Sequence, residues 1–501
     1  MSDNKRNKIS TLSKSRFMAG LQCQKRLYFE CYNRDLANPV DEVLQAIFDT
    51  GTEVGELARG LYPEGLLIAE DYLHHEDSMR STERALLDPS VPALFEAAFQ
   101  YDDIRIRADI LVRVGDGHFD LIEVKSTTKT KDEHIPDVGI QLYVLKGCGI
   151  NVRNTYIGHL NNEYIYPGGA YDLDQLFRIE DVTGRTLTLV PEMPRLLAEM
   201  RLPLLSSEPP DIKIGKHCSK PYDCPFIGHC HDDLLEHHVA QLPWAGAKLL
   251  RSLDEAGIKD IRSIPADFPG LSTIQKRVRN CVVDNHFAMD SEIARTLKNL
   301  DYPIHFLDFE TFNPALPLYP GTRPYQIITF QWSNHILEKN GRIRHEEFLH
   351  EGPDDPRELF TKSLLETLGT KGSIVVYSSF EASRIKGLAH AFPRLSHKLL
   401  DLINYRLVDL HKLIRQNCYH PLFHGSFSIK SVIPALVPGF NYGDLLINEG
   451  MMASLAYAEM RRPETVNERR DYLKEGLLSY CKRDTEAEVQ LYQMLRNRSV
   501  V

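Results

Sequence analysis

The sequence predicts an α/β protein made of two α/β units with a helical stretch between them, and three observations carry that expectation. Residues 104–112 alternate, with Ile104, Ile106, Ala108, Ile110 and Val112 facing one way and Arg105, Arg107 and Asp109 between them, which is the period of a half-buried strand. A fresh strand-rich pattern begins at Ile304. The length of 501 residues exceeds what one ordinary core organises, so more than one domain is expected.

Taken in order, Val43, Ile47, Val54, Leu57, Ala58 and Leu61 fall at helical spacing, so a helix is expected from Asp41 to Leu61. After the strand at 104–112, the turn Gly115-Asp116-Gly117 leads into a second strand, His118–Val124. A helix from about Asp137 to Gly147 and a strand from Asn154 to His159 complete an α-β-β-α-β unit. Residues 203–240 are rich in Pro, Cys and His without periodicity, and Ala245 to about Leu300 reads as short helices. The second unit shows strands at Ile304–Glu310, Tyr325–Ser333, Arg344–His350 and Ser373–Tyr377, then helices ending with a long one from about Arg469 to Leu495. The expected domains are therefore residues 1–235, a helical connector over 236–300, and residues 301–501.

Composition narrows the class. Hydrophobic content of 43% and charged content of 26% are those of a soluble globular chain. No run of 18 or more apolar residues exists, which excludes a membrane-spanning helix and a membrane partner. The stretch MSDNKRNKIS is polar and basic and lacks the apolar region of a secretory signal, so a cytoplasmic location is expected. Nine cysteines argue against a disulfide framework, and clustered ones favour metal binding. The net charge of −10 does not itself point to nucleic acid. Two local clusters do: residues 1–30 hold seven Lys/Arg against two acids, and Lys276, Arg277 and Arg279 form the other. Each is either a phosphate-tracking surface or a solvated face.

Glu123 and Lys125, in IEVKS, share a strand face, and an adjacent antiparallel strand can bring Asp109 beside them. Two carboxylates can hold Mg²⁺ or Mn²⁺, while a lysine orients or activates water and offsets phosphate charge. A surface strand of alternating charge would show the same E-x-K. The stretches RADILVR, FDLIEVKS and DVGIQLYVL together resemble the core of the PD-(D/E)XK nuclease superfamily, in its RecB-like branch. The resemblance implies a restriction-endonuclease-like αβββαβ core, Asp109 and Glu123 on metal, Lys125 in catalysis, and Gln141 as the helical glutamine of that branch. Leu145 stands where tyrosine is usual, leaving Tyr143 as a substitute. GTEVGELARG lacks the usual histidine, leaving Glu53 or Glu56, which equally read as solvated helix residues.

Cys218, Cys224 and Cys230 recur every six residues in CSKPYDCPFIGHC, and such turns can wrap thiolates around a metal centre. Cys23, in LSKSRFMAGLQCQKRLYF, is the candidate fourth ligand. The alternatives are a zinc knuckle using His217, His229 or His231, or three unrelated cysteines. One cysteine before a nuclease core and three after it resembles the iron–sulfur nucleases of the RecB-like branch, which implies a [4Fe–4S] cluster on Cys23, Cys218, Cys224 and Cys230 closing the ends of the domain. Cys31, Cys148, Cys281, Cys418 and Cys481 read as ordinary, mostly buried residues.

IHFLDFET is an apolar strand with Asp308 and Glu310 on one face, a pattern that a buried strand carries only when a cation neutralises it. Glu381, in IVVYSSFEASRI, and Asp484, in SYCKRDTEAEV, can join them, and Tyr480 lies one helical turn before Asp484. Two metals about 4 Å apart could be bridged by this set for in-line phosphodiester hydrolysis. The set resembles the DEDD 3′–5′ exonucleases, which implies an RNase H-like mixed sheet with helices and a water-orienting role for Tyr480. Glu381 departs from the aspartate usual there, and Asp409 is a possible supporting acid. Roughly residues 10–497 resemble an uncharacterised bacterial family that fuses these two modules. The expectation is a nuclease acting on DNA, single-stranded or from an end, in repair or defence. RNA is the rival substrate, and a nucleic-acid-binding scaffold with one inactive site is the rival class.

Overall fold

A computed structural model describes residues 11–115, 117–231 and 235–497. It is a mixed α/β structure that divides into two compact units. The first is residues 11–231 with Pro314–Gln326, and the second is 235–313 with 327–497. The helices of 236–300 thus lie within the second unit. Among the described residues no helix is long and apolar enough to cross a membrane.

In the first unit a short strand β1 (Leu12–Ser13) precedes helices α1 (Lys14–Gln22), α2 (Gln24–Tyr32) and α3 (Glu42–Arg59), then β2 (Leu66–Leu67) and α4 (His75–Leu87). Three antiparallel strands follow, β3 (Ala93–Tyr101), β4 (Ile104–Arg113) and β5 (His118–Lys125). The β3–β4 turn is two residues, Asp102 and Asp103, both at positive φ (46° and 53°), a hairpin geometry whose twist matches the flanking strands. Helix α5 (His134–Gly147) carries the chain to β6 (Asn151–Leu160), parallel to β5, and β7 (Phe177–Asp181) adds an antiparallel edge before α6 (Met193–Leu204). The sheet order is β2-β3-β4-β5-β6-β7, with β1 pairing in parallel with the start of β4 where β5 does not reach.

The single alternation expected from Ile104 to Val112 does not hold. Ile104, Ile106 and Ala108 join the core containing Leu111, Leu121, Val138 and Phe17, whereas Ile110 joins the opposite core with Ile122, Phe95 and Val54. The phase changes at Asp109. Opposite it on β3 stands Glu96, at φ 56°, between the pairs Phe95↔Ile110 and Ala97↔Ala108. A non-glycine residue in the left-handed region costs on the order of 1 kcal/mol and re-aims its neighbours, so both strands switch faces here together.

In the second unit come α7 (Ala247–Glu255), α8 (Thr273–Val283), β8 (Ala288–Met289), α9 (Ser291–Lys298), β9 (Ile304–Phe312), β10 (Ile328–Leu337) and β11 (Ile343–Leu349). They are followed by α10 (Arg357–Leu368), β12 (Ile374–Val376), α11 (Phe380–Ala391), β13 (Leu407–Asp409), α12 (Leu410–Asn417), β14 (Cys418–Tyr419), α13 (Ile429–Leu436), α14 (Gly450–Met460) and α15 (Asn467–Asn497). The main sheet runs β11-β10-β9-β12-β13, with the first three strands antiparallel and β12 and β13 parallel to β9. Helix α10 packs Phe360 and Leu364 on Trp332 of β10, and α15 lies across β9 and β10. Strand β10 is buried along its whole length, and three of its polar residues find partners: Gln331 Nε2 donates to Leu477 O at 2.8 Å, and Ser333 and His335 both meet Thr485 Oγ1 at 2.8 Å.

Candidate functional site

The first cluster lies at the end of the β4–β5 ladder. The last paired residues are Ile110↔Ile122, and one step further stand Asp109 and Glu123. There Val124 N donates to Asp109 Oδ2 at 2.8 Å. Glu123 is 2% exposed and fully engaged: Oε1 accepts from Lys14 Nζ at 2.7 Å and Lys125 Nζ at 2.6 Å, and Oε2 accepts from Gln141 Nε2 at 2.6 Å. The sequence-predicted Asp109, Glu123, Lys125 and Gln141 are therefore brought together. Two further residues join them. Asp137, one turn before Gln141 on α5, binds Lys125 Nζ and lies 3.3 Å from Lys14 Nζ, and Lys14 begins α1. The i, i+4 spacing of Asp137 and Gln141 was the available signal for the first; Lys14, 109 residues from Glu123, had none.

Electrostatics explain the roles. Burial pushes Asp109 up, although Lys14 and Lys125 pull against it. Burial and Asp109 also push on Glu123, but Lys125 and Lys14 outweigh them and hold its carboxyl below the usual range. Burial works against the charge on Lys125, yet Glu123 and Asp137 leave its pKa raised, so it is a firm ammonium. Glu53 and Glu56 lie exposed on α3, and Tyr143 donates to Asp102 Oδ2 at 3.0 Å in the β3–β4 turn.

The four cysteines also converge. Cys23 at the α1–α2 junction, Cys218, Cys224 and Cys230 line one cleft with Lys25, Arg26, Phe29, Phe226 and His217. The cleft is held by Gln22 Nε2 donating to His217 O and Tyr222 O, both at 2.7 Å, and by Cys224 N donating to Cys218 O at 2.8 Å. Burial pushes the Cys224 and Cys230 thiols up, and Cys23 and Cys218 add to it. His229 instead stacks edge-on against Phe29, and the side chain of His231 lies outside the described residues.

In the second unit five carboxylates meet. Asp308 and Glu310 come from β9, Glu381 from the first turn of α11, and Asp484 and Glu488 from successive turns of α15. Glu310, Glu381, Asp484 and Glu488 are buried, and one oxygen each of Glu381 and Glu488 has no partner. Ser378, at φ 132°, precedes α11 and turns the chain from β12 so that Glu381 enters the cluster. Burial, then Asp484 and Glu310, raise Asp308 well above the carboxylate range. Burial, then Asp484, do the same to Glu310. Burial takes Glu381 to about 8, and takes Asp484 to about 6 against the pull of Tyr442 and Lys430. Tyr442 OH donates to Asp484 Oδ1 at 2.7 Å, and Lys430 Nζ donates to Tyr480 OH at 3.1 Å. Cys481, expected to be an ordinary buried residue, has Sγ 3.4 Å from Asp308 Oδ2. Asp409 caps α12 through Lys412 N at 2.7 Å. Glu488, one turn beyond Asp484, was readable from that spacing, whereas Lys430 and Tyr442 carry no such signal and Cys481 reads only as a buried cysteine.

The second basic cluster is largely structural. Arg277 donates to Arg415 O and Gln416 O at the end of α12, and Arg279 to Ile264 O at 2.8 Å, leaving Lys276 exposed.

Residues 305–428, which contain Asp308, Glu310 and Glu381, match the family described as "Domain of unknown function (DUF2779)". No curated protein matches the chain. Among solved structures, the one described as "Crystal structure of SSO0001" is 15% identical over 40% of this chain and 78% of that one, with a TM-score of 0.21.

Proposed function

We propose that the chain is a metal-dependent nuclease that hydrolyses phosphodiester bonds of DNA, with one reaction centre in each unit. The observation that carries this reading is the buried meeting of Asp308, Glu310, Glu381, Asp484 and Glu488, whose mutual repulsion and unpartnered oxygens call for cations. The strand order of the second unit, with three antiparallel strands followed by two parallel ones, supports an RNase H-like assignment. The β3–β4–β5 meander, the α5 crossover and the Asp109–Glu123–Lys125–Gln141 grouping support a RecB-like one for the first.

Asp308, Glu310, Asp484 and Glu381 would hold Mg²⁺ or Mn²⁺, which supplies Lewis acidity and an activated water. Tyr480, its hydroxyl fixed by Lys430, is placed to orient that water, and Lys430 offsets charge at the same place. In the first unit Asp109 and Glu123 would hold the metal. Lys125, being an ammonium, stabilises charge on the phosphate rather than taking a proton.

The cysteine cleft fits a [4Fe–4S] cluster in a structural role. Four thiols, three neighbouring cations (Lys25, Arg26 and Lys213) and apolar walls suit an anionic iron–sulfur centre.

The test is cleavage of end-labelled DNA and RNA in Mn²⁺ or Mg²⁺ by wild type, Lys125→Ala and Asp308→Ala. Metal-dependent DNA cleavage reduced by each substitution is expected. Full activity in Lys125→Ala with loss in Asp308→Ala removes the first unit from the chemistry. Cleavage of RNA alone changes the substrate, and no cleavage of either polymer leaves a binding scaffold.

A further inference from the structure

Cys481 occupies a position that an all-oxygen Mg²⁺ site does not need. It is fully buried on α15, three residues before Asp484 and so on the same face. Ligand atoms from Asp308, Glu310 and Cys481 lie within 4.8 Å of one another. Donors on one ion bonded at about 2.0–2.3 Å stand no more than about 4.6 Å apart, so little contraction of this trio is required. A second observation points the same way. Glu381 and Glu488, 2% and 1% exposed, each keep a buried oxygen without a partner, and Asp308 is a charged neighbour of Glu488. The cluster thus keeps buried acceptor oxygens that Lys430, which acts on Glu310 and Asp484, does not satisfy.

We infer that Cys481 is a metal ligand, so that this site takes a thiolate-accepting first-row transition ion in preference to Mg²⁺. The inference rests on reading the carboxylate cluster as a metal site and names the kind of ion it holds. Sulfur is a soft donor with little affinity for Mg²⁺, whereas Co²⁺ and Zn²⁺ accept mixed sulfur and oxygen sets. On binding, the Cys481 S–H bond breaks, its proton leaves to solvent, and the sulfur lone pair forms the metal–sulfur bond. The bland alternative is a thiol that only donates a weak hydrogen bond to Asp308 Oδ2.

The experiment is Co²⁺ titration of the full chain, read as the near-ultraviolet thiolate-to-cobalt band. It is done for the parent, Cys481→Ser and Asp308→Asn, with Mg²⁺ as competitor. Cobalt on the other cysteines is common to all three proteins and cancels in the difference spectra. A parent-minus-variant band should appear with both substitutions. Cys481→Ser should lose about tenfold or more of its preference for Co²⁺ over Mg²⁺. Near-isosteric serine keeps the packing, and an unchanged circular dichroism spectrum checks this. If Asp308→Asn weakens Co²⁺ binding but Cys481→Ser changes neither band nor preference, Cys481 is not a ligand while the metal-site reading stands. If neither substitution alters metal binding, the metal-site reading falls and this inference with it.

Discussion

Glu123 shows how one residue can be set by two lysines. Its carboxylate is buried yet holds its charge because Lys14 and Lys125 both donate to the same oxygen. A divalent cation held by Glu123, as proposed, would compete with the lysines for its carboxylate and would free a lysine for the phosphate. Lys14→Gln should therefore cost about 1–3 kcal/mol in metal-free protein, since it leaves a buried acceptor short of a donor. The loss should shrink in saturating Mn²⁺, and urea unfolding with and without the ion measures both. An equal loss in the two conditions would mean that Lys14 never yields its place. The E-x-K pair was legible because strand alternation fixes which residues share a face. Lys14 was not, because its partner is set by tertiary packing.

At the scale of the element, the sheet of the first unit was legible only in outline. Alternation announced β4 and β5, but β3 (ALFEAAFQY) is buried on both faces and gives no period to read. The change of phase at Glu96 and Asp109 has no sequence signal either, although it brings Asp109 to the cluster. The pairing of β10 with α15 was equally hidden. There His335 bonds Thr485 Oγ1, and the His345 ring lies 4.5 Å from it, tilted by 40°, with Lys482 near both rings and Glu347 3.8 Å from His345. Burial, with His345 and Lys482 adding, lowers His335 to about 4, and burial with Lys482 does the same to His345. Both rings are thus neutral when folded and take protons near pH 6.5 only once unfolded. Stability from this pair is full above about pH 6.5 and is lost as pH falls towards 4, by about 2 kcal/mol per ring at pH 5. Urea unfolding at pH 7.5 and 5 should show that loss in the parent and a smaller one in His345→Gln. Equal losses in the two proteins would remove His345 as a source.

For the molecule as a whole, the cysteine cleft ties together distant parts of the first unit. Gln22 and His217, which flank it, are 195 residues apart, and strands β2 to β7 of the central sheet lie between them. Neutral hydrogen bonds already dock the ends, with Tyr28 OH donating to Ser207 O at 2.8 Å and Tyr32 OH to Leu204 O at 2.5 Å. Each contributes only about 1 kcal/mol, too little to hold so long a loop closed against its entropy. Four metal–thiolate ligations, if the proposed cluster binds there, would supply far more, because binding free energy at a site absent from the unfolded chain becomes folding free energy. Anaerobically purified protein should then be brown, with about four irons per chain. Cys224→Ser should lose the colour and lower Tm. Lys125→Ala should keep the iron and the colour, and its Tm should fall only by the loss of a donor to buried Glu123 and Asp137, as for Lys14→Gln. Iron content, visible absorbance and thermal unfolding of the three proteins decide the matter. A colourless wild type carrying one zinc would assign the cleft to a single ion and withdraw the cluster.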